Sequence, residues 1–260
     1  MKEYKEEDYP VIFGVKKTFE IMEKIVNNSY DEEHKNGGRK DGPTPRERLE
    51  ITLKYYRQYL SQRYLAIEYG VAKSCISPII KWTAKVLVSD NNFSLPNKTE
   101  NINDNSESRI YDVTESKIDR PEKNQEEWYS GKKKFHSIKT QIEIGANTNL
   151  IYSLNFGKGS EHDFKIFKYT HPDYTIFVDK GYIGIDKIHS DSIIPIRASK
   201  NHKLNEIEKW YNIEVSKVRI AVEHVNAFIK KFKMVSTRYR NRRKNFKLHM
   251  TLICSIYNFE

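Results

Sequence analysis

The chain changes its hydrophobic pattern part-way along its length. Apolar residues up to about residue 88 recur at helical spacing, and residues 44–47 read Thr-Pro-Arg-Glu, the form of a capping box with proline at the first helical position. This predicts a helix from there to about Tyr59. The polar stretch 89–108 is rich in Asn and Asp and has no sustained hydrophobic period, which predicts an interdomain connection.

Short β-type runs follow this connection, at 110–113, 135–144, 150–156 and 174–179, and a helical pattern then covers about 206–234. We therefore expect a mixed α/β protein. Its predicted parts are an all-helical domain at 1–95, a linker at 96–107 and an α/β domain at 108–260.

Composition narrows the class of protein. The chain has 260 residues, of which 38% are hydrophobic, with a mean hydropathy of −0.75. It has no apolar run near the ~20 residues that span a bilayer, and its N-terminus lacks the apolar core of a signal peptide. We expect a cytoplasmic protein without a membrane partner. Cys75 and Cys254 are far apart, which indicates neither a disulfide framework nor a zinc site.

A net charge of +10 favours a polyanionic partner. Residues 230–247 contain nine basic side chains and no acidic one. Four of them are candidate DNA contacts: Arg238, Arg240, Arg242 and Arg243. The interleaved Phe232, Tyr239 and Phe246 can pack in a core or stack on bases. Nucleic acid is the favoured partner, and a merely basic soluble protein is the alternative.

Residues 62–82 have the spacing of a helix-turn-helix. Ala66 is small where two helices would cross, Gly70 suits a left-handed turn, and the apolar residues Val71, Ile76 and Ile79 could hold the second helix against the first. If the segment binds DNA, the candidate readers of the major groove are Lys73, Ser74 and Ser77. A plain helical core is the alternative.

Pro78 conflicts with a regular recognition helix, because proline inside a helix costs about 3 kcal/mol. The helix is therefore expected to be kinked at Pro78 or to start later.

Two aspartates occupy strand-like runs, Asp112 in Ile-Tyr-Asp-Val and Asp179 at the end of Thr-Ile-Phe-Val-Asp. Carboxylates on neighbouring strands can hold a divalent metal. Acids at strand ends also bind backbone amides routinely, so each aspartate alone is weak support for a metal site.

In the helix that follows, steps of about 100° per residue bring Arg219, Glu223 and Lys230 within roughly 40° of one another on one face. A salt-bridged surface would explain the Arg219–Glu223 spacing equally well.

Four motifs in order carry a family resemblance: Tyr-Asp-Val-Thr-Glu at 111–115, Trp-Tyr-Ser-Gly-Lys-Lys-Lys-Phe-His-Ser-Ile-Lys at 128–139, Val-Asp-Lys-Gly-Tyr-Ile-Gly at 178–184, and Arg-x3-Glu-x6-Lys at 219–230. Over about residues 40–258 the chain resembles the DDE transposases of bacterial insertion sequences and their Harbinger-like relatives. The resemblance implies that Asp112, Asp179 and Glu223 are the catalytic, metal-binding triad and that Arg219 and Lys230 support the glutamate. Ser216 stands where the family signature often has tyrosine.

The resemblance further implies a ribonuclease-H-like fold, with a mixed five-stranded sheet flanked by helices. It implies two Mg²⁺ ions, for which Mn²⁺ could substitute, and DNA cleavage followed by strand transfer. The implied partners are double-stranded DNA, namely terminal inverted repeats and target DNA, and a second copy of the chain in the synaptic complex.

A basic hairpin after the first strand could hold the transposon end through Lys132, Lys133, Lys134, His136 and Lys139, or these residues could be solvated charges. His162 and Asp163 resemble a family motif or cap the next helix. The functional alternatives are a DNA-binding regulator with an inactive nuclease domain and an endonuclease that cleaves without joining.

Overall fold

A computed structural model describes residues 4–37, 42–96, 107–167, 173–182, 184–200 and 202–260. The contacts divide the chain into a helical unit, Met1–Ser94 with Phe228–Glu260, and an α/β unit, Leu95–Ala227. Residues 228–260 therefore group with the helical unit, whereas the sequence analysis placed them in the α/β domain. The predicted linker 96–107 lies outside the described residues except for its two end positions.

Ten α-helices and six strands are seen in the described residues. In chain order they are α1 (Tyr9–Ile12), α2 (Phe19–Glu33), α3 (Pro45–Gln58), α4 (Gln62–Glu68), α5 (Lys73–Ser89), β1 (Arg109–Lys117), α6 (Gln125–Trp128), β2 (Tyr129–Ser130), β3 (Phe135–Gly145), β4 (Ile151–Lys158), α7 (Asp163–Phe167), β5 (Ile176–Phe177), β6 (Ser192–Ile193), α8 (Glu206–Lys230), α9 (Lys233–Ser236) and α10 (Phe246–Phe259).

The predicted capping box starts α3. The Glu47 amide donates to Thr44 Oγ1 at 3.2 Å, and the Thr44 amide donates to Glu47 Oε2 at 2.7 Å. Both groups would otherwise lack a partner in the first turn. The helix ends at Gln58, and Tyr59 follows it in the left-handed conformation, so the prediction for this helix is confirmed.

A short turn joins α4 to α5. Gly70 has a φ of +64° in this turn, as its position in the sequence predicted. Ala66, Ile76 and Ile79 are buried between the helices. α5 begins at Lys73 and continues through Pro78 without interruption. The expectation of a later helix start is therefore wrong.

α10 belongs to the core of the helical unit. His249 on this helix forms a hydrogen bond of 2.5 Å with Tyr56 on α3, and both side chains are buried. Phe259 stacks on Phe93 with ring centroids 5.2 Å apart. Because α10 is apolar along most of its length, burial in the helical unit removes that surface from water, which explains why residues 228–260 group there.

The α/β unit is built on a mixed sheet. Its strand order is β4-β3-β1-β5-β6, and the two-residue β2 adds to the end of β3. β1, β3 and β4 pair antiparallel, whereas β5 pairs parallel with both β1 and β6. These five main strands with flanking helices confirm the predicted ribonuclease-H-like arrangement. Only Ile176–Phe177 of the predicted strand 174–179 forms a strand.

α8 is attached to the chain that follows β6. The Asn212 amide group donates to the Ile196 carbonyl at 3.0 Å and accepts from the Ile196 amide at 2.7 Å. α8 ends at Lys230, four residues before the predicted end, and the short α9 follows. None of the helices in the described ranges is long and apolar enough to cross a membrane.

Candidate active site

Asp112 lies on β1, and Asp179 follows the neighbouring strand β5 by two residues. In the parallel pair β1/β5, Arg109 is opposite Ile176 and Ile110 is opposite Phe177. Asp112 is two residues beyond Ile110, and Asp179 is two residues beyond Phe177, where β5 ends. The negative charge of Asp179 helps to raise the pKa of Asp112, which requires the two carboxylates to be close in space. The two carboxylates predicted from separate motifs are therefore neighbours.

Two side chains of α8 contact Asp112. Asn226 Nδ2 donates to Asp112 Oδ2 at 2.9 Å, and Arg219 Nη2 lies 3.6 Å from Asp112 Oδ1. Burial raises the pKa of Asp112 above its ordinary value; Arg219 and Asn226 oppose this shift, and the negative charge of Asp179 adds to it. A positive charge between the two aspartates would relieve both the burial cost and the repulsion.

Glu223 lies between these two contacts along α8. At about 100° per residue it is about 40° from Arg219 and about 60° from Asn226 around the helix axis. Its side chain is exposed. The face of α8 that meets Asp112 therefore also carries the predicted third acid. Lys230 is the exposed last residue of the same helix.

A third aspartate, Asp163, lies close to Asp179. A Cβ atom added to Gly181 would lie 2.8 Å from Asp179 Oδ1 and 3.1 Å from Asp163 Oδ2, so both carboxylates border one space that glycine leaves open. Tyr182 is buried beneath them, and its pKa is raised by burial first and then by Asp163, Asp112 and Asp179. The sequence signal for Asp163 was the His-Asp pair at 162–163.

Lys139 does not have the role predicted for it. Its side chain is 11% exposed, and Nζ donates to the Glu161 carbonyl at 2.6 Å and to Asp163 Oδ1 at 2.9 Å. Both partners follow β4 and cover the lysine. Lys139 therefore orients Asp163 and is not available to DNA.

The donor set suits a hard divalent cation, because carboxylate oxygens are the ligands such ions prefer. The open space at Gly181 and the neighbouring Asp112 and Asp179 fit this use. Within the described ranges, however, no three His, Cys, Asp or Glu side chains are close enough together to form a complete metal site. The role of Glu223 as third ligand therefore remains a prediction.

Known proteins match most of the chain. A family model described as "DDE superfamily endonuclease" matches residues 111–258. A protein of Microchaete diplosiphon named "Probable transposase for insertion sequence element IS702" is 36% identical over 251 residues, which cover 94% of this chain and 91% of that protein. The chain belongs to the DDE-class transposases of insertion sequences. No solved structure matches it.

Membership in this family gives the transposase DNA as its substrate and a general dependence on divalent metal. The family match begins at Tyr111, next to Asp112, and includes Asp163, Asp179, Glu223 and Asn226. The site described above therefore lies inside the matched endonuclease region.

The hairpin between β2 and β3 presents part of the predicted basic group. Lys132, Lys133 and Lys134 are exposed in the turn, where Lys134 has a φ of +60°. His136 is half-buried, and its ring lies 5.5 Å from the Tyr129 ring, measured between centroids. The three turn lysines thus remain candidate DNA contacts.

In the basic tract 230–247, the charged side chains are exposed and the aromatic side chains are buried. All nine of its Lys and Arg residues are exposed, whereas Phe232, Tyr239 and Phe246 are at most 2% exposed. Tyr239 and Phe246 pack edge-to-face at 5.0 Å. Of the two roles open to these aromatics, packing is therefore the one observed, and they anchor the tract to the helical unit.

The predicted reading residues lie on the outer surface of α5. Lys73, Ser74 and Ser77 are exposed, while Ile76 and Ile79 face the core. Ala72, the residue before α5, offers no side-chain cap to the first amides of the helix. Helix N-termini with unpaired amides attract phosphate.

Proposed function

We propose that this transposase binds the terminal inverted repeats of its element and catalyses Mg²⁺-dependent strand cleavage followed by strand transfer. Asp112, Asp179 and Glu223 are the proposed catalytic residues. The observation that carries the proposal is that Asp112 on β1 lies close enough to Asp179 for its charge to raise the pKa of Asp112, and that Asp112 is held by the helix that bears Glu223.

The roles of the side chains follow from their positions. Asp112 and Asp179, with Glu223 from α8, would hold two Mg²⁺ ions. Metal bound there would activate water, stabilise the leaving 3′ oxygen and later activate the freed 3′ hydroxyl. Arg219 and Asn226 hold the Asp112 carboxylate in a defined orientation. Asp163, held by Lys139, is a candidate additional carboxylate at this site.

DNA recognition is assigned to the helical unit. The α4–α5 pair has the arrangement of a helix-turn-helix, and Lys73, Ser74 and Ser77 are the proposed readers of the major groove. Lys132, Lys133 and Lys134 of the β2–β3 turn would contact the phosphates of the end being cut. Because two ends must be joined, we propose a homodimer in the synaptic complex.

The deciding experiment replaces one triad acid at a time. Asp112→Ala, Asp179→Ala and Glu223→Ala should each abolish cleavage of labelled inverted-repeat DNA while end binding persists, since affinity comes mainly from Lys and Arg contacts to phosphate. Asp186→Ala removes an exposed acid of the same unit and should cleave normally. Cleavage by Glu223→Ala, with its fold confirmed by circular dichroism, would remove Glu223 from the triad.

Two further experiments distinguish a transposase from an endonuclease and from a DNA-binding regulator. A pre-cut end mixed with target plasmid and Mg²⁺ should yield joined product, and cleavage without joining would identify an endonuclease. Mn²⁺ should replace Mg²⁺, whereas Ca²⁺, with its larger and looser coordination shell, should support binding without cleavage. Binding without cleavage in any metal would identify a DNA-binding regulator.

A further inference from the structure

A basic groove lies within the helical unit, where the chain's C-terminal segment runs beside α4 and α5. It encloses about 680 Å³. Its lining includes six basic side chains, Arg63, Lys73, Lys81, Arg240, Arg242 and Lys244. The lining residues are all described, and none of them is acidic. Such a concentration of one sign of charge attracts a polyanion.

We propose that this groove binds the phosphate backbone of the same DNA duplex whose major groove α5 reads. The inference rests on the proposed function of the helical unit in binding duplex DNA. It adds that the DNA-binding site is discontinuous in sequence: one wall comes from residues 60–81 and the other from residues 240–245.

The α5 wall is formed by one face of the helix. Lys73, Ser77 and Lys81 are four residues apart, so successive side chains are rotated by only about 40°. All three are exposed and line the groove. The proposed base-reading residues Lys73 and Ser77 are therefore continuous with Lys81, which is positioned for a phosphate and not for a base edge.

The opposite wall is fixed in place by Arg240. Its backbone amide donates to Tyr59 Oη at 2.5 Å, and its guanidinium donates to the Tyr59 carbonyl and lies 4.1 Å from the centre of the Tyr59 ring. Tyr59 directly precedes the segment that leads into α4. Arg240 thus positions this wall, leaving Arg242 and Lys244 as the principal phosphate contacts from the C-terminal side.

Burial of the flanking aromatics makes the wall rigid. Tyr239 and Phe246, on either side of residues 240–245, are buried in the helical unit. A pre-ordered wall loses little conformational entropy when DNA binds. The C-terminal segment therefore supplies affinity to the recognition site and not to the catalytic unit.

The test uses full-length protein without divalent metal, so that the DNA stays intact, and measures affinity for the element's ends between 50 and 300 mM salt. The groove variants are Lys81→Ala and Lys244→Ala. Each has a control in the same element, Lys85→Ala on α5 and Lys247→Ala in the basic tract, both exposed and outside the groove lining.

Each groove variant should reduce the slope of log affinity against log salt by about one unit, for cognate and random duplex alike, because one phosphate contact is lost. The controls should keep the wild-type slope. In ethylation interference, each groove variant should lose the interference at particular phosphates. The phosphates affected in the two variants should lie close together in one duplex. Lys244→Ala behaving like Lys247→Ala would overturn the groove proposal.

Failure of the groove and failure of the proposed function give different results. If wild-type protein prefers its element's ends but the groove variants have the same salt slopes as their controls, the groove inference is wrong and the recognition function stands. If wild-type protein shows no preference for those ends, the recognition function itself is wrong. Equal competition by duplex RNA would also overturn the assignment of the groove to DNA.

Discussion

Asn226 on α8 donates a hydrogen bond of 2.9 Å to Asp112 Oδ2 on β1. The bond joins residues 114 positions apart, so it forms only when α8 packs on the sheet. It fixes the orientation of a partly buried acid of the proposed triad. Mutation of a group that orients a metal-binding carboxylate typically lowers metal affinity or activity by about 10- to 100-fold.

Asn226→Leu should therefore lower single-turnover cleavage by about 10- to 100-fold. The substitution keeps the branching and the number of heavy atoms of the side chain and removes the donor. Gel-shift affinity for inverted-repeat DNA should not change. His224→Gln alters an exposed residue of the same helix and serves as the control. Normal cleavage by Asn226→Leu would mean that Asp112 needs no orientation from α8.

Gly181→Ala should reduce cleavage by about 100-fold, because displacing a catalytic group by about 1 Å has an effect of this size. The added methyl carbon would lie 2.8 Å from Asp179 Oδ1, so the carboxylate must move. Gly181 does not have a positive φ, so its backbone accepts alanine. Gly131→Ala, with nothing within 4 Å, is the matched control. Equal rates for both variants would exclude this space from the site.

Arg109 should be essential for the stability of the α/β unit. It is fully buried, 2.5 Å from Glu107 and 3.7 Å from Glu143, with its guanidinium 3.7 Å from the Tyr152 ring centre. Arg109→Met would leave two buried carboxylates without their cation, at a cost of about 3–5 kcal/mol. Thermal denaturation should show a large drop in Tm, whereas the exposed Arg120→Ala should melt like wild type. A small drop would show that the carboxylates find other partners.

Burial lowers the pKa of His249 to about 4. Since the unfolded value is about 6.5, the unfolded state binds more protons between these values, and the folded state loses stability as the pH falls from about 6.5 to 4. The loss should reach roughly 3 kcal/mol. The free energy of unfolding, measured with urea from pH 7 to 4, should fall by this amount in wild type and by less in His249→Gln. Parallel curves would contradict this role of His249.

Local chemistry made several elements predictable from the sequence. The capping box at Thr44 and Glu47 and the left-handed turn at Gly70 depend on atoms a few residues apart, so the sequence alone specifies them. The motif around Asp112 likewise located an acid on a strand. Asp179, predicted to end a strand at 174–179, lies two residues after β5, because only Ile176–Phe177 pairs with its neighbours.

Tertiary packing decided which of these residues meet. The proximity of Asp112 to Asp179 depends on the pairing of β1 with β5, and the contact of Asn226 with Asp112 depends on how α8 packs; neither has a local signal. Lys139 was predicted from its charge to bind DNA, but residues from beyond β4 bury it against Asp163. Residues 228–260 follow the nuclease motifs in sequence and yet group with the helical unit, because the apolar surface of α10 is buried there.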